Sequence, residues 1–233
     1  NNYLNSGGYQ QGEVNPQHAK YNLGYVYLRK ENYKVALGYF DQVAQSVSLN
    51  SSDIVQDAYL RAADCHFMNR DFAKAKAMYN TALGYSWPAS DYATYQLAMI
   101  AGVNSASEKV KTLQSFERRY PSSELVPFVN MEIANTYLSQ EKYREAIPYL
   151  NNVIKSTAAG TLKPRAYLRM GIAQYNLNNN NEALAAYRKL IAEYPNAPEV
   201  DEALESARAI FIEDGRTNEY VDFAKASGRS VSS

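Results

Sequence analysis

Leu23-Gly24-Tyr25-Val26-Tyr27, followed by Tyr33-Lys34-Val35-Ala36-Leu37-Gly38-Tyr39-Phe40, is the stretch that decides the fold. Gly24 and Ala36 are small residues twelve apart, with Tyr27 three places after the first and Phe40 four places after the second. The spacing returns down the chain at Ala63 and Ala75, Ala134 and Ala146, and Gly171 and Ala183. His66, Tyr137 and Gln174 take the place of Tyr27, while Tyr79, Leu150 and Tyr187 take that of Phe40. Val43, Ala82, Val153 and Leu190 stand seven places after the second small residue. Offsets of three, four and seven lie on one face of an α-helix. Each copy therefore predicts two antiparallel helices that approach closely at the small residues, with larger side chains filling the space beside the crossing. The segments between them are polar: Lys30-Glu31-Asn32, Asn69-Arg70-Asp71, Gln140-Glu141-Lys142 and the run Asn178 to Asn181.

Between the second and fourth clear copies lies a worn one. Asp91 to Val103 reads as its first helix and Ser107 to Arg119 as its second, with Val110, Leu113 and Phe116 as apolar positions. Lys109 falls where the small residue belongs, so looser packing and a shorter or distorted turn are expected. Ser105-Ala106-Ser107-Glu108 has capping-box spacing, and Ser122, Thr161 and Thr217 are candidate N-caps. A last pair, Glu199 to Glu213 and Thr217 to Ala226, surrounds Asp214-Gly215 and is expected to cap the array. The predicted organisation is a loose lead-in or remnant of a preceding repeat over 1–15, repeats over 16–226 and a tail over 227–233. The units fall near 16–50, 53–87, 91–121, 124–157, 161–195 and 199–226.

Composition excludes several functions. Lys+Arg and Asp+Glu number 24 each, giving a formal net charge of zero. That balance argues against nucleic-acid binding, which needs clustered positive charge to displace counterions, and equally against a polybasic membrane anchor. No apolar run is long enough to span a bilayer. The single cysteine, Cys65, forbids an intrachain disulfide and reads as a small buried residue. His18 and His66 are the only histidines, too few with one cysteine for a soft-ligand metal site. Phosphate-binding loops and nucleophile elbows are absent. The acids Asp53, Asp57 and Asp64 share a helix, where exposed acids near its start suit the dipole. No catalytic, cofactor-binding or metal-binding residues are expected, and no enzyme activity. The chain opens Asn1-Asn2-Tyr3 without methionine, which reads as a mature form or a cut from something longer.

The phrase Leu23-Gly24-x-x-Tyr27…Tyr33-x-x-Ala36…Phe40, with Pro121 and Pro195 twelve places past Lys109 and Ala183, resembles the tetratricopeptide-repeat signature. The resemblance runs from about Pro16 to Ala226. Lys20 in place of an opening aromatic, and Gln174 in place of Tyr, depart from the pattern. It implies an all-α, right-handed superhelical solenoid of about five units plus a terminal capping pair. Its first helices would line a concave, tyrosine-rich and apolar groove for a protein or peptide partner. Carried onto this sequence, the groove candidates are Tyr21, Tyr25, Arg29, Asp64, Phe67, Met68, Tyr95, Met99, Met131, Asn135, Ile172 and Tyr175. Leu60, Leu138 and Leu168 occupy similar places but are better placed for packing between helices. The carboxylate clamp of some family members needs Lys, Asn and Arg where Tyr21, Tyr25 and Leu60 stand. The alternative use of the apolar surface is architectural, against neighbouring repeats or a second copy.

Arg119-Tyr120-Pro121-Ser122-Ser123 and Glu193-Tyr194-Pro195-Asn196-Ala197-Pro198 resemble repeat boundaries of bacterial cell-envelope members of the family. Ser90 to Tyr95 and Ile210 to Gly215 resemble large members from Bacteroidetes-type bacteria. That narrower resemblance implies a periplasmic or outer-membrane-associated place rather than a cytoplasmic one.

Overall fold

The computed structural model describes residues 15–225. The expected lead-in over 1–14, Ala226 and the tail over 227–233 lie outside the described residues. Helices follow one another in sequential antiparallel pairs. The first pair is α1 (Pro16–Arg29) and α2 (Tyr33–Val43), and the second is α3 (Asp53–Met68) and α4 (Phe72–Gly84). In the third, α5 (Ser90–Asn104) is followed by α6 (Ala106–Gln114), which breaks at Ser115 and resumes as α7 (Phe116–Arg119). Then come α8 (Val126–Leu138) with α9 (Tyr143–Lys155), a 3-10 turn (Thr157–Leu162), α10 (Lys163–Asn176) with α11 (Asn180–Glu193), and α12 (Glu199–Glu213) with α13 (Thr217–Lys225). The chain divides into two compact units, Asn1–Thr112 and Leu113–Ser233.

The helix starts have local causes. Asn15 accepts a hydrogen bond from the Gln17 amide at 2.9 Å, with Pro16 as the first residue of α1. Asn32 and Asp71 accept from the amides of Val35 and Lys74, each at 3.3 Å, satisfying donors that a helix leaves free. Ser105 takes its predicted part by accepting from the Glu108 amide at 3.2 Å. The other three predicted caps lie elsewhere. Ser122 precedes a turn in which Ser123 accepts from Leu125, Thr161 lies inside the 3-10 turn, and Thr217 is already the first residue of α13. Prolines set two of these starts instead: Pro127 and Pro164 stand in the first turns of α8 and α10, where a missing amide costs nothing.

One turn design recurs inside five pairs. The amides of Asn32, Asp71, Lys142, Asn179 and Arg216 donate to the carbonyls of Tyr27, His66, Tyr137, Gln174 and Phe211. Each preceding residue has positive φ: Glu31, Arg70, Glu141, Asn178 and Gly215. This is the Schellman ending. Asn and Gly suit that backbone, whereas Glu31, Arg70 and Glu141 hold it at a cost of about 1 kcal/mol each. Accordingly Gly215→Ala should lose about 1 kcal/mol, while Glu141→Gly should gain up to the same amount. Urea unfolding midpoints at constant m-value check both, and a loss in Glu141→Gly would sink the strain argument.

The glycines of the repeat make room for rings. A Cβ on Gly24 would stand 2.6 Å from the Phe40 ring, and one on Gly171 would stand 2.1 Å from the Tyr187 ring. The worn third pair solves the same crossing differently. Gly102 of the first helix faces the stem of Lys109, whose Cδ would lie 2.8 Å from an added Cβ, so the lysine that replaces the second helix's small residue lies across a glycine. The connection shrinks to Ser105 alone, in extended backbone. In the first unit Ala36, Phe40 and Val43 of α2 pack with Ala58, Ala62 and Cys65 of α3. In the second, Tyr187, Leu190, Ala207, Ile210 and Phe211 form a core between the last two pairs.

Candidate partner-binding surface

The first helices of the first unit carry a continuous polar ladder. On α3, Asp57, Arg61 and Asp64 are spaced three and four apart, which aligns them on one helix face. Arg61 Nη1 donates to Asp64, and its Nε lies 3.4 Å from Asp57 Oδ1. Tyr21 and Tyr25 of α1 both donate their hydroxyls to Asp57 Oδ2, Tyr21 at 2.7 Å. Tyr79 of α4 and Tyr92 of α5 both donate to Asp64 Oδ1, Tyr92 at 2.9 Å. Arg61 also donates to the Tyr92 hydroxyl at 3.1 Å and lies over its ring at 4.7 Å. Gln96 completes the ladder on Tyr92 at 2.7 Å.

Burial raises the Asp64 carboxyl above the ordinary carboxylate value, against the downward pull of Arg61 and two tyrosine hydroxyls. Burial also lowers Arg61, but Asp64 together with Tyr92, Asp57 and Tyr25 outweighs it, and the guanidinium stays protonated. The hydroxyls of Tyr25, Tyr79 and Tyr92 are all raised, first by burial and then by their carboxylates. They are fixed donors at neutral pH. Asp57 and Asp64 are thus not the exposed helix-start acids expected; they are partners of Arg61, at side-chain exposures of 33% and 13%.

Tyr21, Tyr25 and Asp64 are therefore tied into one network, which makes the expected apolar strip partly polar. On the same helices, Phe67, Tyr95 and Met99 are half-buried and Arg29 is exposed, while Met68 is 49% exposed. Phe67 rests against Phe72 with centroids 5.5 Å apart. In the second unit Ile172 and Tyr175 of α10 are half-buried, and Tyr175 donates to Glu213 at 2.7 Å. Asn135 of α8 is half-buried, with its Oδ1 shielded and without a hydrogen-bond partner. Met131 departs from expectation. At 4% exposure it packs with Ala134, Leu150 and Val153 in the core, because its turn of α8 faces the second helix. Leu60 and Leu168 are buried as well.

Sequence reasoning passed over Arg61, Arg165 and Arg169. The last two line a cleft of about 370 Å³ between α10 and α12, with Leu168, Ile172, Pro198, Glu199 and Glu202. Arg165 Nε lies 3.6 Å from Glu199 Oε1. The Cys65 thiol, pushed up to about 12 by burial and then by Asp64, remains a protonated core group. His66 Nδ1 lies 3.4 Å from Asp71. Among the described residues no helix is long and apolar enough to cross a membrane.

Residues 131–198 and 57–85 match family models described as tetratricopeptide repeat. The paired helices form a tetratricopeptide-repeat array. Such repeats are scaffolds for protein–protein interaction and are typically non-enzymatic, and this is the class of role the array defines. Its fold is similar to two crystal structures of MamA, at 19% and 18% identity and TM-scores of 0.55 and 0.57. Those likenesses cover 71% and 74% of this chain, and 91% and 89% of theirs. A third similar structure is the APC/C hetero-tetramer Cut9-Hcn1, at 14% identity and a TM-score of 0.59, covering 91% of this chain and 39% of that one. No curated protein sequence matches the chain.

Proposed function

We propose that the first helices of the first unit hold an extended or helical segment of a protein partner against Tyr21, Tyr25, Phe67, Met68, Tyr95 and Met99. One observation carries this reading: the tyrosine hydroxyls of α1 are already engaged by Asp57, while the rings remain half-exposed. A partner then meets ring faces and thioethers rather than unsatisfied polar groups, and large rings with few rotors lose little entropy on contact. Arg29 and Asp64 flank the strip, the latter as its support. In the second unit Asn135, Ile172 and Tyr175 stand on the corresponding first helices.

The test compares Tyr25→Ala/Met99→Ala with the intact chain as bait in a native extract, with Tyr25→Phe as control. The repeat-boundary likeness to envelope proteins makes a cell-envelope extract the first choice. The expected result is a partner held by the intact chain and by Tyr25→Phe at low and high salt, and lost by the double variant. Equal capture by all three would remove the groove assignment.

A second reading, in which part of the apolar surface meets neighbouring repeats or a second copy, is supported by Val26. It stands two places after Gly24, as Cys65 stands after Ala63 and Ala173 after Gly171. Cys65 and Ala173 are fully buried, yet Val26 is 46% exposed. Sedimentation identical for the intact chain and Val26→Lys, both strictly monomeric, would weigh against it.

A further inference from the structure

Four side-chain polar atoms among the described residues are buried without a hydrogen-bond partner: Arg61 Nε, Trp87 Nε1, Asn135 Oδ1 and Arg169 Nε. Arg61 has Asp57 at ion-pair distance, and Trp87 is closed within its core. Arg169 differs, because it lines an open cleft. Across that cleft, Arg165 already has Glu199. Arg169 and Glu202 make no hydrogen bond or ion pair among the described residues. Two arginines and two glutamates leave the cleft with no net charge. It offers a spare donor fork on α10 and a spare acceptor on α12, beside the apolar Leu168, Ile172 and Pro198.

Charge decides what fits. A carboxylate drawn to Arg169 would stand near the uncompensated Glu202, and an ammonium drawn to Glu202 would stand near Arg169. A neutral amide has neither problem, since it brings one acceptor and one donor together. We propose that this cleft takes a backbone amide of an extended, uncharged segment of a protein partner. The amide carbonyl accepts from the Arg169 guanidinium, and its N–H donates to Glu202. An aliphatic side chain of the same segment lies on Leu168, Ile172 and Pro198. The inference rests on the reading that first helices receive a partner segment, and it specifies the chemistry recognised on α10.

Arginine Nε–H resonances of the intact chain test it directly, because a shielded Nε–H exchanges slowly with water. The probes are N-acetyl-leucine N-methylamide, a neutral capped amide, and N-acetyl-leucine, its carboxylate counterpart. The Arg169 signal is identified by its loss in Arg169→Lys. The expected result is a saturable shift with the capped amide. Its affinity should change less than about twofold between ~50 and ~300 mM salt and weaken about fivefold or more in Glu202→Ala. A shift with N-acetyl-leucine alone, lost in salt and strengthened by Glu202→Ala, would overturn the proposal in favour of a carboxylate site. No shift with either probe would overturn it too, leaving Arg169 as a structural orphan. Tyr25→Ala/Met99→Ala alters only the first unit, so failure of the groove there and failure of this cleft are separately readable.

Discussion

Arg61→Ala should lower the stability of the first unit by about 3 kcal/mol, because it leaves two carboxylates facing four tyrosines with no cation among them. Asp64 carries most of the cost, with a side chain only 13% exposed. Trp87 gives a local readout. It is the only tryptophan, it is 2% exposed, and the Tyr85 and Tyr59 rings lie 5.5 and 5.7 Å away. Its fluorescence follows the first unit while circular dichroism follows all the helices. Burial already raises the Asp64 carboxyl despite Arg61, so the fold favours its protonated form. That stabilising share is complete below the unfolded carboxylate value and is lost as pH rises through the folded one. Without Arg61 the folded value climbs further, and the deficit of Arg61→Ala should narrow as pH falls from about 7 to about 5. Arg61→Met/Asp64→Asn should recover most of the loss, since the amide oxygen still accepts from Tyr79 and Tyr92. A deficit independent of pH, or a double variant worse than the single one, would show that the pair is not the source.

This ladder marks where the sequence stops being legible. Asp57, Arg61 and Asp64 show their alignment in spacing alone, and a charge-pair reading of α3 would have found Arg61. Their tyrosine partners come from α1, α4 and α5, 15 to 36 residues away. No local period connects a hydroxyl on one helix with a carboxylate on another. The helix pairs were readable because the small residues, the rings after them and the polar turns all repeat, so each copy checks the others. The third pair kept its first predicted helix, broke its second at Ser115 and exchanged the small residue for Lys109 across Gly102, a compensation that exists only between helices. Met131 misled for a related reason. Family spacing assigns a residue to a face, but on α8 that turn rotates into the core against Leu150 and Val153.

The glycines offer the sharper test of the repeat itself. Gly171→Ala puts a methyl group 2.1 Å from a Tyr187 ring that is 1% exposed. The ring cannot swing outward without opening the core it shares with Leu190 and Ile210. Overpacking of this kind costs about 1–3 kcal/mol. Alanine returns up to ~1 kcal/mol through its better helix propensity, so a net loss of about 2 kcal/mol is expected for the second unit. The preceding pair shows the cure, because Ala134 there stands with Leu150 rather than a ring, and both are fully buried. Tyr187→Leu alone should create a cavity and destabilise by about 2 kcal/mol. Gly171→Ala/Tyr187→Leu should be more stable than either single variant, a coupling that independent sites do not show. Chemical unfolding of the four chains measures it. Additive losses would mean that the small residue and the ring are not one packing unit, and that the repeat keeps its glycine for helix approach alone.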